Sequence, residues 1–116
     1  MTLRFSDVCI DARDVHAIAS WWATALGWRQ EDADDGDVVL RAPEGAGPDW
    51  LFLAVPEGKT VKNRIHFDFV PDDQAAEVER LVGLGARHVD IGQGDESWVV
   101  LADPEGNEFC VLSAES

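Results

Sequence analysis

The sequence of 116 residues is short of positive charge, has only two cysteines and one methionine, and contains no tyrosine. Its 9 Lys and Arg residues are far outnumbered by 23 Asp and Glu residues, which gives a formal charge of −14. Nucleic acids and anionic membranes both require clustered Lys and Arg, so we expect neither as a partner. Such acidity is typical of a highly soluble surface, or of a site that prefers neutral or cationic ligands.

Long hydrophobic runs are also missing. The longest, Trp50 to Val55, is far shorter than the roughly 20 residues that span a bilayer, and the charged N-terminal stretch lacks the apolar region of a signal peptide. Cys9 and Cys110 lie inside predicted strands, which is typical of reduced, buried thiols, although a disulfide between them is the alternative. These absences favour a cytoplasmic protein.

The most informative stretch runs from Val99 to Leu112. A β-branched and leucine run enters a turn that contains Pro104 and Gly106, and a second apolar run leaves it, which predicts a hairpin. The stretch Val38 to Gly45 has the same Val-Val-Leu start and the same Pro-Glu-Gly turn. The chain therefore looks duplicated.

Hydrophobic periodicity predicts the same succession of elements in each half: a strand, a helix and three more strands. In the first half the predicted elements are a strand at Phe5 to Ala12, a helix capped by Asp14 and stopped by Gly27, and strands at 28–33, 38–41 and 50–55. In the second half they are a strand at Arg64 to Val70, a helix capped by Asp72-Asp73 and stopped by Gly85, and strands at 87–91, 97–102 and 108–113, with a turn at 92–95.

The two halves superpose with a nearly constant offset. Asp7 falls on His66 and Asp14 on Asp73, while Gly27 falls on Gly85. We therefore expect one α+β domain over 1–116, built from a βαβββ module at about 1–57 and a second at about 62–116. The apolar sheet faces of the two modules should be buried by packing the modules side by side, with the helices outside.

A tandem βαβββ with the turn Asp103-Pro104-Glu105-Gly106-Asn107 between two strands resembles the vicinal oxygen chelate superfamily, the group of glyoxalase I, extradiol dioxygenases and bleomycin-resistance proteins. Pro104 presets such a turn, and Gly106 and Asn107 tolerate a positive φ. The resemblance covers essentially the whole chain. It implies an open, curved eight-stranded sheet around a cavity, with the helices outside, and a homodimer.

The resemblance also implies four positions at which enzymes of this group hold a divalent metal, usually with His, Gln or Glu. Here these positions carry Asp7, Phe52, His66 and Cys110. Phe52 offers no donor atom and Cys110 replaces the usual Glu, so the set departs from one suited to Mg, Mn or Ni. We therefore expect no cofactor. The alternative is zinc, or another divalent metal, held by Asp7, His66 and Cys110 with one open position.

Strand alternation predicts which side chains line the pocket. The predicted ligand-binding residues are Asp7, Cys9, Phe52, His66, Asp68, Trp98 and Cys110, a mixture of aromatic and acidic groups typical of small-molecule sites. His66, facing Asp7 or Asp68, is either a catalytic base or half of a structural hydrogen-bonded pair. Trp50 and Trp98 begin strands where a flat ring can stack on a cationic ligand, although core packing is the alternative.

Two functions follow. The first is a glyoxalase-like protein without the usual metal, which binds a hydrophobic or cationic small molecule. The alternative is a metal- or His-dependent lyase or isomerase that uses His66 with Asp7 and Cys110. A third, plainer possibility is a domain that fills its own pocket and acts only by association.

Overall fold

The computed structural model describes residues 2–89 and 97–115, and the chain divides into two compact units, Met1–Gly58 and Lys59–Ser116. Unit 1 contains strand β1 (Asp7–Ala12), helix α1 (Val15–Leu26), strand β2 (Arg29–Asp32), a 3-10 turn (Asp34–Gly36) and strands β3 (Val38–Arg41) and β4 (Asp49–Ala54). Unit 2 contains strand β5 (Phe67–Phe69), helix α2 (Gln74–Gly83) and strands β6 (Arg87–His88), β7 (Val99–Ala102) and β8 (Glu108–Val111).

Each unit forms one four-stranded sheet, and the two sheets have the same strand order. The order is β1-β4-β3-β2 in unit 1 and β5-β8-β7-β6 in unit 2. In both sheets the first strand pairs in parallel with the last, while the remaining pairs are antiparallel. The α+β fold with a repeated βαβββ unit is confirmed. The structure shows it as two four-stranded sheets, and their union into one eight-stranded sheet stays a prediction.

Both helices begin at the predicted aspartates. The side chain of Asp14 accepts a hydrogen bond from the backbone N–H of Ala17 at 3.1 Å, and Asp73 accepts one from Ala76 at the same distance. Each cap thus satisfies a donor that the first helical turn leaves without a partner. Helix α1 ends at Gly27, whose φ of 72° is the left-handed conformation that glycine adopts without strain.

Several strands are shorter than predicted. β1 begins at Asp7 rather than Phe5, and β5 covers three residues where seven were expected. β6 is described as Arg87–His88, and the rest of that predicted strand, with the predicted turn at 92–95, lies largely outside the described residues. Apolar side chains alone therefore overestimate strand length, since pairing stops where the neighbouring strand ends.

The core of unit 1 is a cluster of aromatic rings between α1 and the sheet. The ring of Trp22 lies 4.9 Å from that of Trp21 and 5.2 Å from that of Trp50, in edge-to-face arrangements. Trp28 contacts Trp50 in the same manner at 5.6 Å. Trp21 is buried within this chain. Edge-to-face pairs add stabilisation beyond the area that they bury.

The helix of unit 2 packs far more loosely. Leu81 is the residue of α2 that is buried, whereas α1 buries five. Between α2 and the sheet lies an open groove of about 470 Å³, lined chiefly by Ala75, Val78 and Val82 of the helix and by His88 and Val99 of the strands. Within the described residues, no helix is long and apolar enough to cross a membrane.

The turn of the second hairpin is organised around the carboxylate of Asp103, which is 1% exposed. Its Oδ1 accepts the backbone N–H groups of Glu105 and Asn107, both at 2.9 Å. Gly106 has the expected positive φ, of 91°, but Asn107 does not share it and instead donates its side-chain amide to Asp103 at 3.2 Å. The Asp-Pro-Glu-Gly-Asn motif is thus a structural turn whose buried donors are satisfied locally.

Candidate functional site

The side of each sheet that faces away from its helix is called here the open face. Trp50 contacts α1, so the residues that alternate with it on β4 face the other way. The strand register then places Asp7, Cys9 and Asp11 from β1, Leu51 from β4 and Val39 from β3 among the side chains on the open face of unit 1. Acidic and apolar groups thus lie side by side there.

Asp7 and Cys9 are in contact on this face. The Cys9 thiol lies 3.8 Å from Oδ1 of Asp7 and is oriented to donate to it. Partial desolvation and the neighbouring carboxylates, chiefly that of Asp7, raise the pKa of the Cys9 thiol. Cys9 is a free cysteine and exposed, so it presents a protonated thiol beside a carboxylate.

The other edge of the same face carries a row of ion pairs that the sequence analysis missed. Arg41 bonds Glu31 at 3.1 Å and Asp49 at 3.0 Å, and Arg29 lies 2.6 Å from Glu31. The Arg41 guanidinium lowers the pKa of Glu31, and the backbone N–H of Ala42, followed by Arg41, lowers that of Asp49. These charges alternate along adjacent strands, a signal visible only once the register is known.

Phe52 does not reach the open face. In the register it pairs with Ile10 and Val38, it follows Trp50 by two residues, and it is fully buried. Its ring therefore faces α1, opposite to Asp7 and Cys9, which corrects the expectation that Phe52 lines the pocket. Trp50 is likewise buried in the aromatic cluster and is not available to stack on a ligand.

On the open face of unit 2 the structure brings together two residues that alternation selected, Asp68 and Cys110. Cys110 on β8 pairs in register with Asp68 on β5 and with Val100 on β7. The Cys110 thiol is buried and hydrogen-bonds Asp68. Burial first, and then the charge and hydrogen bond of Asp68, raise the pKa of this thiol to about 11. Cys110 is therefore a protonated thiol throughout the physiological range.

His66 lies immediately before β5, two residues from Asp68. Its Nε2 lies 2.9 Å from the carbonyl oxygen of Asn63. A carbonyl only accepts hydrogen bonds, so the proton of this contact belongs to Nε2 of the ring. Of the two acidic partners predicted for His66, Asp68 belongs to the same unit and Asp7 belongs to unit 1.

A buried acid on the same face was not predicted. Glu108 precedes Cys110 by two residues on β8, so both side chains lie on the same face of the sheet. The side chain of Glu108 is 5% exposed. Oε1 accepts the backbone N–H of Asn63 at 3.0 Å, and the ammonium of Lys59 lies 2.6 Å from Oε2. Oε2 makes no well-angled hydrogen bond within the described residues, so its contact with Lys59 is a close ion pair rather than a directional bond. The one sequence signal was a Glu within an otherwise apolar strand.

Burial by itself raises the pKa of the Glu108 carboxyl. The close ion pair with Lys59, together with the N–H of Asn63, outweighs that effect and holds the pKa below its ordinary value. Glu108 is therefore an ionised carboxylate whose two oxygens are both occupied.

Trp98, which was also predicted to line the pocket, and Leu112 lie on the same face of unit 2. Both are half-buried, and Trp98 lies just before β7, on the same alternation as Val100. Four of the predicted ligand-binding residues, namely His66, Asp68, Trp98 and Cys110, thus belong to unit 2, while Asp7 and Cys9 belong to unit 1.

The architecture is that of a known family. The sequence profile of the Glyoxalase-like domain family matches residues 7–112, which span β1 to the end of β8. The chain belongs to this family. No curated protein sequence is significantly similar to it.

Solved structures show the same glyoxalase-like fold. A glyoxalase/bleomycin resistance protein/dioxygenase family enzyme from Burkholderia phytofirmans superposes with a TM-score of 0.71 at 19% identity, covering 94% of this chain and 97% of that one. The trypanothione-dependent glyoxalase I of Leishmania major gives 0.68 at 15%, covering 98% and 88%. A bleomycin resistance determinant encoded on transposon Tn5 gives 0.63 at 18%, covering 98% and 100%. At such identities the likeness concerns the fold alone.

The family often binds a divalent metal, and the residues of this chain do not match such a centre. Of the four expected positions, Phe52 faces α1 and its neighbour Leu51, on the open face, has no donor atom. Cys110 offers a thiol where a hard divalent metal prefers a carboxylate oxygen. In the described ranges, 2–89 and 97–115, no group of three His, Cys, Asp or Glu side chains is arranged to hold a metal ion.

Proposed function

We propose that this glyoxalase-like protein binds a hydrophobic or cationic small molecule on its open faces and works without the divalent metal of its relatives. One observation carries the proposal. At two of the positions that resemble the family's ligands, Asp7 and Cys110, the side chain is paired with a neighbour of the other kind: Asp7 with the thiol of Cys9, and Cys110 with the carboxylate of Asp68. These pairs stand in place of a full set of oxygen and imidazole donors. Carboxylates next to apolar walls favour cations.

The excess of acidic residues supports a cationic ligand in particular. With a net charge of −14, the chain attracts cations and repels anions at long range. Asp7 contributes local charge on the open face of unit 1, and Asp68 does so on the open face of unit 2. Trp98, half-buried at the margin of the unit 2 face, supplies an aromatic surface against which a cation can rest.

A homodimer and a cytoplasmic location are part of this proposal. Large apolar side chains beside the edge strands are exposed, namely Leu3 and Phe5 before β1 and Val61 and Ile65 before β5. Exposed apolar groups of this kind are typical of surfaces that pair with another chain. Both cysteines are free, as in a reducing compartment.

The experiment is a binding titration followed by tryptophan fluorescence and calorimetry. Benzyltrimethylammonium and benzylamine should bind, while benzoate, of similar size but opposite charge, should not. Asp68→Asn should weaken binding of both cations by about tenfold, the weight of one charged contact in a desolvated site. Asp72→Asn makes the same change of net charge at an exposed residue outside the open face and should leave binding unchanged.

Elemental analysis of the purified, chelator-free protein tests the metal. We expect less than stoichiometric transition metal, and unchanged cation binding after exposure to Zn, Ni or Mn. One metal per chain, lost in both Asp7→Ala and Cys110→Ala, would contradict the proposal. That outcome would instead support the lyase or isomerase that uses His66 with Asp7 and Cys110.

A further inference from the structure

Three groups of unit 2 are joined in a chain of contacts that ends on His66. Lys59 pairs with Glu108 at 2.6 Å, Glu108 accepts the N–H of Asn63 at 3.0 Å, and the carbonyl of Asn63 accepts from His66 at 2.9 Å. A second contact, from the Asn63 side-chain amide to the Glu108 carbonyl at 3.4 Å, ties the same residue to β8. The loop that precedes β5 is thereby fastened to the last strand.

The energetics explain why this fastening is firm. A carboxylate as deeply buried as that of Glu108 destabilises the fold unless it is paired and hydrogen-bonded. Lys59 supplies the ion pair and Asn63 the hydrogen bond. If either residue moved away, the carboxylate of Glu108 would stay buried without full compensation of its charge. The backbone carbonyl of Asn63 is therefore held at one place and in one orientation.

A fixed carbonyl fixes the imidazole that bonds to it. Because Asn63 O accepts only, the neutral ring of His66 carries its proton on Nε2, and Nδ1 keeps a lone pair. His66 thus offers an acceptor, rather than a donor, to anything that approaches Nδ1. Hydroxyl, ammonium and amidinium groups satisfy such an acceptor, whereas a quaternary ammonium does not.

We propose that Glu108, paired with Lys59, is a positioning residue that acts through Asn63 to keep His66 in its Nε2–H tautomer, so that Nδ1 accepts a hydrogen bond from an N–H-bearing cation. The ligand half of this inference rests on the proposed function. The tautomer half does not, since it is a property of the unliganded protein.

The first test is the ¹⁵N spectrum of histidine-labelled protein at pH 8, where an ordinary imidazole is neutral. His66 should show a protonated Nε2 and an unprotonated Nδ1. Glu108→Ala should shift the ratio of the two tautomers by about fivefold, the weight of one hydrogen bond. Glu108→Gln, which retains an acceptor oxygen for Asn63, should restore most of the bias. The exposed His16 and His88 are internal controls and should not change.

Lys59→Gln provides a second variant in case Glu108→Ala does not fold. It should weaken the tautomer bias, because the carboxylate loses its counter-ion, while Lys62→Gln, an equal charge change at an exposed neighbour, should have no effect. A wild-type His66 protonated on Nδ1 would overturn the proposal. An unchanged tautomer ratio in folded Glu108→Ala or in Lys59→Gln would overturn it as well.

The second test compares benzylamine, which has N–H donors, with benzyltrimethylammonium, which has none. Wild-type protein should prefer benzylamine by about tenfold, and Glu108→Ala or Lys59→Gln should reduce that preference to about twofold. Equal binding of both cations to wild type would overturn the role of Nδ1 while leaving the proposed function intact. If neither cation bound, the proposed function would fail and with it the ligand half, and the tautomer result would still be decided by the ¹⁵N spectra.

Discussion

The two units share one topology and differ in how their helices are held. Helix α1 of unit 1 buries five residues, including Trp21 and Trp22, and sits on an edge-to-face aromatic cluster. Helix α2 of unit 2 buries only Leu81 and leaves a groove of about 470 Å³ beneath it. The strand order is set by the repeated pattern of elements, whereas the packing density depends on which side chains each copy carries.

The open faces differ in the opposite sense. The ion pairs of unit 1, around Arg41, lie at an exposed edge, where solvent screens them. The pair of Lys59 and Glu108 in unit 2 is largely withdrawn from water. In unit 1 the helix side of the sheet is therefore tightly packed and apolar, and the charges on the open face are screened by solvent. In unit 2 the helix side is loosely packed, and the open face carries a buried ion pair. Three predictions bear on this contrast.

The largest effect is expected from truncating the aromatic cluster. Trp22→Ala should lower the free energy of unfolding by about 3–5 kcal/mol, because it leaves a cavity among rings that cannot close in. Val78→Ala, at the groove of unit 2, should cost under about 1 kcal/mol, since Val78 is only half-buried. Urea unfolding followed by circular dichroism measures both. Equal losses would show that α2 is as tightly held as α1.

The second effect is at alkaline pH. The pKa of Cys110 is raised to about 11 from an ordinary 9.0, so between these values the unfolded chain releases a proton that the folded chain retains. Stability is therefore full below pH 9 and falls as the pH rises towards 11. The loss should reach about 2–3 kcal/mol, from two pKa units at 1.36 kcal/mol each.

Comparison of wild type with Cys110→Ala across pH 8 to 11 isolates this contribution, and the absence of tyrosine removes the usual competing titration. Cys9→Ala is the matched control. Cys9 is exposed, so its removal should leave most of the alkaline slope in place. A slope that survives in Cys110→Ala would contradict the assignment.

The smallest effect is expected from adding volume behind each sheet. Ala19→Val in α1 should cost about 1–2 kcal/mol, because Ala19 is fully buried and two more methyl groups would force its neighbours in the core to shift. Val78→Leu adds a methylene towards the groove and should change stability by less than about 0.5 kcal/mol in either direction. Thermal melting of the two variants decides, and a large loss in Val78→Leu would mean that the groove is filled in solution.

The sequence predicted the fold well because its strongest signals are local. The caps at Asp14 and Asp73, the stop at Gly27 and the repeated Val-Val-Leu hairpin each depend on a few neighbouring residues, and their order determines the topology. The family resemblance rests on the Asp103 turn, whose structural role needs no long-range contact.

The site was less predictable, because it depends on register and on distant pairs. Matching Phe52 to a family position does not determine which face its ring takes, and a shift of one residue reverses it. Glu108 and Lys59 lie far apart in sequence and have opposite charges like many other pairs in an acidic chain. Only the observed contact of 2.6 Å distinguishes them from charges that are simply exposed to solvent.

The parallel pairing of the first and last strands in each unit has a consequence for synthesis on the ribosome. β1 has no partner until β4 has been made, since Asp7 pairs with Asp49 and Ala12 with Ala54. β5 waits in the same way for β8. Closing such long loops is slow compared with forming a helix or a hairpin. The nascent chain therefore leaves the backbone of β1, and later that of β5, unpaired for most of the time that each unit takes to emerge. These are the intervals in which a chaperone would protect it.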